Sequence, residues 1–412
     1  MQFGSRLTIS SRHSKSAVLE TIVFALFLQK QKNQKMKSKL PNIGTNIFTV
    51  MSGLAVEHNA INLSQGFPNF ECSPRLQGLI YDYMQRGFNQ YAPMAGVPIL
   101  RERLSEKINT LYGANVHPDE ITLTAGGTQA LFTAITAFIH AGDEVILIEP
   151  AYDSYRPAIE LSGGVPVVYE LQSPDYQVDW LLFATLITPK TRMIMFNTPH
   201  NPTGKVWSAN DLQQLANLVR GTDILILSDE VYEHLIYDSI AHQSVLRYPE
   251  LWERSMMVYS FGKTFHATGW KMGYVVAPPH LTAEFRKVHQ FNVFSVNTPI
   301  QYAIAEFLEN PEEYLSLPAF YQQKRDFLLE KMQNSRFKPL HCEGTYFQLF
   351  DYSNISDEKD SDFAKRLTTE NGVAVIPVSA FYSSKRDDKV IRICFAKTDE
   401  TLVNAANLLA KV

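Results

Sequence analysis

DILILSDEVYEHL, Asp223–Leu235, holds the pattern from which the fold can be read. Ile224, Leu225, Ile226 and Leu227 run without a polar break and stop at Ser228 and Asp229. A short apolar run closed by polar residues predicts a strand buried on both faces. Outward from it the pattern recurs in EITLTA (Glu120–Ala125), DEVILIEP (Asp143–Pro150), TRMIMFNTP (Thr191–Pro199) and SMMVYSFGK (Ser255–Lys263). Helix-like stretches lie between, among them QALFTAITAFI after Thr128 and Ala209–Arg220. Apolar strands alternating with helices predict an α/β fold with a mostly parallel sheet covered by helices. Sites in such sheets sit at the carboxyl ends of the strands, where Asp229 falls.

The chain has 412 residues, too many for one ordinary core, so two domains are expected. Hydrophobic residues at 45% and charged residues at 19% describe a globular protein. A net charge of −4 argues against a nucleic-acid partner. Cys72, Cys342 and Cys394 show no CxxC spacing, which predicts neither a metal centre nor a disulfide framework and suits a reducing cytoplasm. Residues 71–306 are expected to form the large domain. After about Phe307 a charged helix (Tyr321–Met332), TYFQLFDY, a helix at Ser361–Asn371, VAVIP and KVIRICFA predict a smaller α+β domain over 307–412, joined by 40–70.

Residues 1–39 carry eight Lys/Arg and one acid, leaving 30 basic and 41 acidic residues beyond them. Ala17–Leu28, AVLETIVFALFL, is too short to span a bilayer, where roughly 20 apolar residues are needed. No small-residue cleavage site follows it, so neither secretion nor a membrane is expected. The stretch reads as a weakly ordered extension, with Met36 as an alternative start.

Five segments carry chemical signals. In SFGKTFHATGWKMG (Ser260–Gly273), Lys271 follows Lys263 by eight residues; a nearby cation lowers the pKa of an amine nucleophile. The plain alternative is a surface loop with two solvated lysines, against which Phe261, Phe265 and Trp270 speak. Asp229 either caps a helix over Glu230–Leu235 or holds a cation such as a protonated pyridine nitrogen, with Tyr232 on the same side of the turn. NTPHNPTGKVW (Asn197–Trp207) predicts a rigid loop in which Pro202 fixes the Asn201 amide. AGGTQA (Ala125–Ala130) opens a helix with a Gly pair and a hydroxyl, which suits a phosphate. Arg392 interrupts the apolar strand KVIRICFA; its partner is an internal acid or a substrate carboxylate.

SDEVYEHL, Asn197–Gly204, SFGKTFHATGWKMGY and IRICFAK, in this order and spacing, resemble the class I/II aminotransferases of fold type I, within them the kynurenine/glutamine transaminase branch and its bacterial methionine aminotransferases. INLSQGFPNF, NQYAPMAGVPILR, EPAYDSYRPAI and FSVNTPIQ are similar to further segments of that branch. The likeness runs from about Lys39 to the C-terminus. It implies pyridoxal 5'-phosphate held as a Schiff base on Lys263, with Asp229 at the ring nitrogen, Asn201 and Tyr232 at the ring hydroxyl and Tyr152 on the ring face. Phosphate would fall to Gly127, Thr128, Ser260 and Lys271; many relatives carry Arg at the last position, and this branch Lys. Arg392, Asn201 and the Gly66 backbone would hold the substrate carboxylate. Tyr91 and Phe294 would reach in from the partner subunit of a homodimer with shared active sites, and Phe48, Tyr152 and Phe294 would line the side-chain pocket.

The activity implied is ping-pong transamination between a large neutral amino acid and a 2-oxo acid, Lys263 serving as general base. Methionine is favoured, with glutamine, aromatic amino acids or kynurenine as further donors. The same residues could serve a C–S β-lyase. A silent ligand-binding module fused to a DNA-binding head fits less well, because the basic leader is too short for such a head.

Overall fold

Seven strands build the main sheet: β1 (Ile121–Thr124), β2 (Glu144–Glu149), β3 (Val165–Glu170), β4 (Thr191–Asn197), β5 (Leu225–Asp229), β6 (Ser255–Ser260) and β7 (Gly273–Val276). Their spatial order is β1-β7-β6-β5-β4-β2-β3. β7 runs antiparallel to both of its neighbours, and the other ladders are parallel. β1, β4, β5 and β6 therefore end at one edge of the sheet, the edge at which β7 begins. The register brings Asn197 level with Asp229 and sets both Thr124 and Ser260 level with Gly273. β5 is buried at every position, as its apolar run predicts.

The computed structural model describes residues 37–412. The expectations for the basic leader, including Ala17–Leu28, fall almost wholly outside the described residues. Residues 37–43 contain no helix or strand. Residues 44–412 form one unit.

A second sheet packs four strands: β8 (Lys338–Pro339), β9 (Phe347–Asp351), β10 (Ile376–Pro377) and β11 (Val390–Cys394). β11 lies between β9 and β10, so Arg392 faces Leu349 on one side and Ile376 on the other. Ile61–Asn62 pairs in parallel with Val373–Ala374, which ties the segment before Gly66 to the C-terminal stretch. Two strands of the main sheet, β3 and β7, were not expected from the sequence. Glu230–Leu235 is a turn and not the helix that Asp229 would cap. The Glu230 and Glu233 side chains bond to other elements, and those tertiary contacts override the local helical pattern.

No described helix is long and apolar enough to cross a membrane. Among the described residues no group of three or more His, Cys, Asp or Glu could hold a metal ion.

Candidate active site

Four strand ends converge on a cavity of about 260 Å³ that also takes in residues of the second sheet. Twelve of the fourteen residues named from the sequence line it: Phe48, Gly66, Gly127, Thr128, Tyr152, Asn201, Asp229, Tyr232, Ser260, Lys263, Lys271 and Arg392. Tyr91 and Phe294 do not. They touch each other edge to face at 5.4 Å and stand 84% and 49% exposed.

Lys263 lies on a single helical turn, Phe261–Thr264, directly after β6. Phe261 and Phe265 are buried, so the surface-loop alternative is excluded. A side chain at Gly262 would meet Thr268 Cα at 3.0 Å, whereas Gly269 has open space around it and no such need. Burial pulls the Lys263 amine down to about 8, and the positive Arg392 and Lys271 act in the same direction. Its Nζ donates to Tyr346 Oη at 2.8 Å and to the Gly66 carbonyl at 3.3 Å.

Asp229 ends β5 and is 4% exposed. Tyr155 Oη donates to its Oδ2 at 2.5 Å and the Val231 N–H to its Oδ1 at 3.2 Å. Burial pushes the carboxyl up to about 6 against those two bonds. Among the described residues no Lys, Arg or His lies within 4.0 Å of it in an ion pair, so a buried carboxylate here awaits a cation. Asn197 Nδ2 donates to the Asp229 carbonyl, and Asn197 Oδ1 accepts from the Asn201 N–H, which fixes the Asn201 loop to the end of β5.

Arg392 is fully buried and has no acidic partner among the described residues. Nη1 donates to Asn201 Oδ1 at 2.7 Å and Nη2 to the Ser64 carbonyl at 3.0 Å, while Nε is buried without any partner. Guanidinium groups only donate, so the Asn201 oxygen must face Arg392 and its NH₂ is left to donate elsewhere. The Phe347 ring stacks on the guanidinium with its centroid at 3.8 Å. Burial draws this arginine down to about 10.

The helix Gly126–Phe138 starts at the end of β1 with no side-chain cap, which leaves its first N–H groups free for an anion. Gly126 has φ +80°, and a Cβ there would lie 3.6 Å from Lys271 Nζ. An uncapped helix start beside an ammonium has the charge and the free donors that suit an anion. Thr128 Oγ1 reaches Tyr152 Oη at 3.4 Å.

Tyr155, Tyr346, Asn197, Val231 and Phe347 were not singled out from the sequence. All lie inside segments that were, Tyr155 three residues after Tyr152. Their partners, however, are up to 280 residues away, and no local spacing reveals such pairs.

Residues 58–409 match the family aminotransferase class I and II, and the chain belongs to it. It is thus a pyridoxal-phosphate-dependent aminotransferase of fold type I. Methionine aminotransferase of Escherichia coli K12 is 51% identical over 378 residues, covering 91% of this chain and 98% of the relative. Human kynurenine–oxoglutarate transaminase 1 is 35% identical over 406 residues, covering 90% and 96%. The crystal structure of YbdL from Escherichia coli, reported with a methionine aminotransferase function, superposes with a TM-score of 0.90 at 51% identity, covering 92% of this chain and all of that one. These relatives are transaminases and give no support to a lyase. The site fits the cofactor: an unpaired buried carboxylate for its ring nitrogen, an uncapped helix start with Lys271 for its phosphate, and Lys263 between them.

Proposed function

We propose that this aminotransferase takes its amino group from a large neutral amino acid, methionine foremost, and passes it to a 2-oxo acid in a ping-pong cycle. Pyridoxal phosphate, when bound, supplies an aldehyde that accepts the amine and a ring that takes up electrons from the substrate α-carbon. Asp229 keeps that ring nitrogen protonated, with Tyr155 holding the carboxylate in place. The Asn201 NH₂ and Tyr232 would bond to the ring hydroxyl, and Tyr152 would pack against the ring. Gly127, Thr128, Ser260 and Lys271 hold the phosphate. Lys263 carries the cofactor and, once displaced, moves the α-proton as general base.

The observation that carries this reading is Arg392. Two of its five N–H donors are satisfied internally, and its Nε is orphaned. A fork held in this way grips an α-carboxylate bidentately. The Gly66 N–H, which has no acceptor among the described residues, can add a further bond. The other cations lining the cavity are Lys263, bonded to Tyr346 and Gly66, and Lys271, which this reading gives to the phosphate. A second substrate carboxylate would meet no countercharge, which disfavours aspartate and glutamate as donors. Phe48 and Phe347 offer an apolar wall that suits a thioether or an aromatic ring.

The reading includes a cytoplasmic homodimer in which Tyr91 and Phe294 complete the partner's site; their exposure as an aromatic pair outside the cavity supports it. It also divides the chain into a large domain over 71–306 and a smaller one from 40–70 and 307–412, supported by the strand pairing of Ile61–Asn62 with Val373–Ala374. Borohydride reduction of the yellow holoenzyme, followed by peptide mapping, should place the label on Lys263, and a donor panel should rank methionine above aspartate and glutamate. A label on another lysine, or aspartate as the preferred donor, overturns it.

A further inference from the structure

Tyr346 immediately precedes β9, which starts at Phe347, and is fully buried. Its ring is wedged between Tyr232 at 5.4 Å and Phe347 at 4.9 Å, both edge to face, with Tyr321 at 5.9 Å. Two polar groups meet at its hydroxyl and also touch each other. Tyr346 Oη and the Gly66 carbonyl are 2.5 Å apart, Lys263 Nζ and Tyr346 Oη 2.8 Å, and Lys263 Nζ and the Gly66 carbonyl 3.3 Å. A carbonyl oxygen can only accept, so the single phenolic hydrogen belongs to the bond with Gly66, and the phenolic oxygen accepts from Lys263. A Cβ at residue 66 would lie 2.7 Å from Phe347 Cζ, so a side chain there would displace that ring.

Both neighbours of Lys263 Nζ are therefore acceptors. A neutral amine has two N–H bonds and one lone pair. If both hydrogens are committed to Tyr346 and Gly66, the lone pair is the one part of the group left facing the cavity. Burial favours that neutral form by drawing the amine down to about 8.

We infer that Tyr346, together with the Gly66 carbonyl, is a positioning device for the catalytic amine, which holds displaced Lys263 by its hydrogens and turns its lone pair toward the substrate α-proton. The inference rests on Lys263 being the general base. In the step it serves, the substrate α C–H bond breaks, the proton forms the third N–H of Lys263, and the electron pair is left to the ring of the bound cofactor. The resulting ammonium keeps its two bonds to Tyr346 and Gly66 and presents the new proton to the cavity, so one orientation serves removal and return. Tyr346 is outside the residues that line the cavity and bonds to the Lys263 amine. It acts through Lys263.

Tyr346→Phe in the holoenzyme tests this, because it removes the hydroxyl and keeps the ring. A misdirected base slows proton transfer, so kcat with methionine should fall by about tenfold or more while KM, set by the intact Arg392, stays within about threefold. The isotope effect on kcat with α-deuterated methionine should rise above the wild-type value. A cofactor-free readout accompanies it. The Lys263 ammonium donates to Tyr346, so losing that acceptor disfavours the charged form, and trinitrobenzenesulfonate labelling of Lys263 in the stripped variant should reach its midpoint at lower pH. An unchanged isotope effect together with an unchanged labelling midpoint would reduce Tyr346 to a packing residue and overturn the inference. Both readouts are taken on folded protein and remain valid if the variant melts earlier. Failure of the underlying reading looks different: borohydride would then label a lysine other than Lys263 in the wild type.

Discussion

Asp229, at the end of β5, and Glu233, in the turn that follows, stand four residues apart, both buried, in opposite electrostatic surroundings. Glu233 bonds to Lys107 Nζ at 2.5 Å and also accepts from the Tyr112 and Tyr274 hydroxyls. Burial alone would push its carboxyl up, yet Lys107 and His234 hold it well below the usual carboxylate range. Asp229 has two hydrogen bonds and no cation, and it is pushed up to about 6. The arginines repeat the contrast. Arg325 grips Asp238 with both terminal nitrogens, at 2.6 and 2.8 Å, and is held above its ordinary value first by that contact. Arg392 has no acid and is drawn down to about 10. Glu233 and Arg325 meet their opposite charges within the fold, whereas Asp229 and Arg392 line the cavity with no opposite charge beside them among the described residues.

Breaking the paired side should produce the largest change in stability. Lys107→Met strands Glu233 among tyrosine hydroxyls and should destabilise the fold by roughly 3–5 kcal/mol, read by denaturant unfolding of the holoenzyme. Unfolding at the wild-type denaturant concentration would remove the distinction between the two carboxylates.

The unpaired side should respond with the opposite sign. In the cofactor-stripped chain the Asp229 carboxyl is raised, so the stability it contributes is fully present below about pH 4 and is lost as pH climbs through 6. Asp229→Asn escapes that loss. Stripped Asp229→Asn should therefore be more stable than stripped wild type by roughly 1–3 kcal/mol at about pH 7.5, and the two should converge toward pH 4. The same variant should bind pyridoxal phosphate less tightly, since it removes the charge that meets the ring nitrogen. A stripped variant less stable than wild type at neutral pH would show that Asp229 is a structural acid.

Much of this was legible in the sequence because the chemistry is concentrated at strand ends. The runs over Thr191–Pro199, Asp223–Glu230 and Ser255–Lys263 appear as strands whose bounds differ from them by at most three residues. Two strands escaped. Val165–Glu170 contains Pro166, which counts against a strand; it is tolerated because β3 is the edge strand of the sheet. Gly273–Val276 is only four residues long and begins at the last residue of SFGKTFHATGWKMG. The residues that hold the catalytic groups were harder to find. Tyr155 serves Asp229 across 74 residues, and Tyr346 serves Lys263 across 83. A tyrosine hydroxyl has no sequence signature for the partner it meets. For Arg392 the sequence left an internal acid and a substrate carboxylate open, and the structure shows no acidic partner for it among the described residues.

The most direct test of the whole account is Arg392→Lys, measured for both melting temperature and kcat/KM with methionine and phenylalanine. An ammonium is a point charge and cannot match both carboxylate oxygens as the fork does. The account predicts an unchanged cofactor absorbance and a melting temperature within a few degrees of wild type. It predicts a fall in kcat/KM of at least about a hundredfold, roughly 2.7 kcal/mol of transition-state binding, equal for the two donors because both present the same α-carboxylate. A variant that melts far lower, or that loses activity toward only one donor, would contradict it.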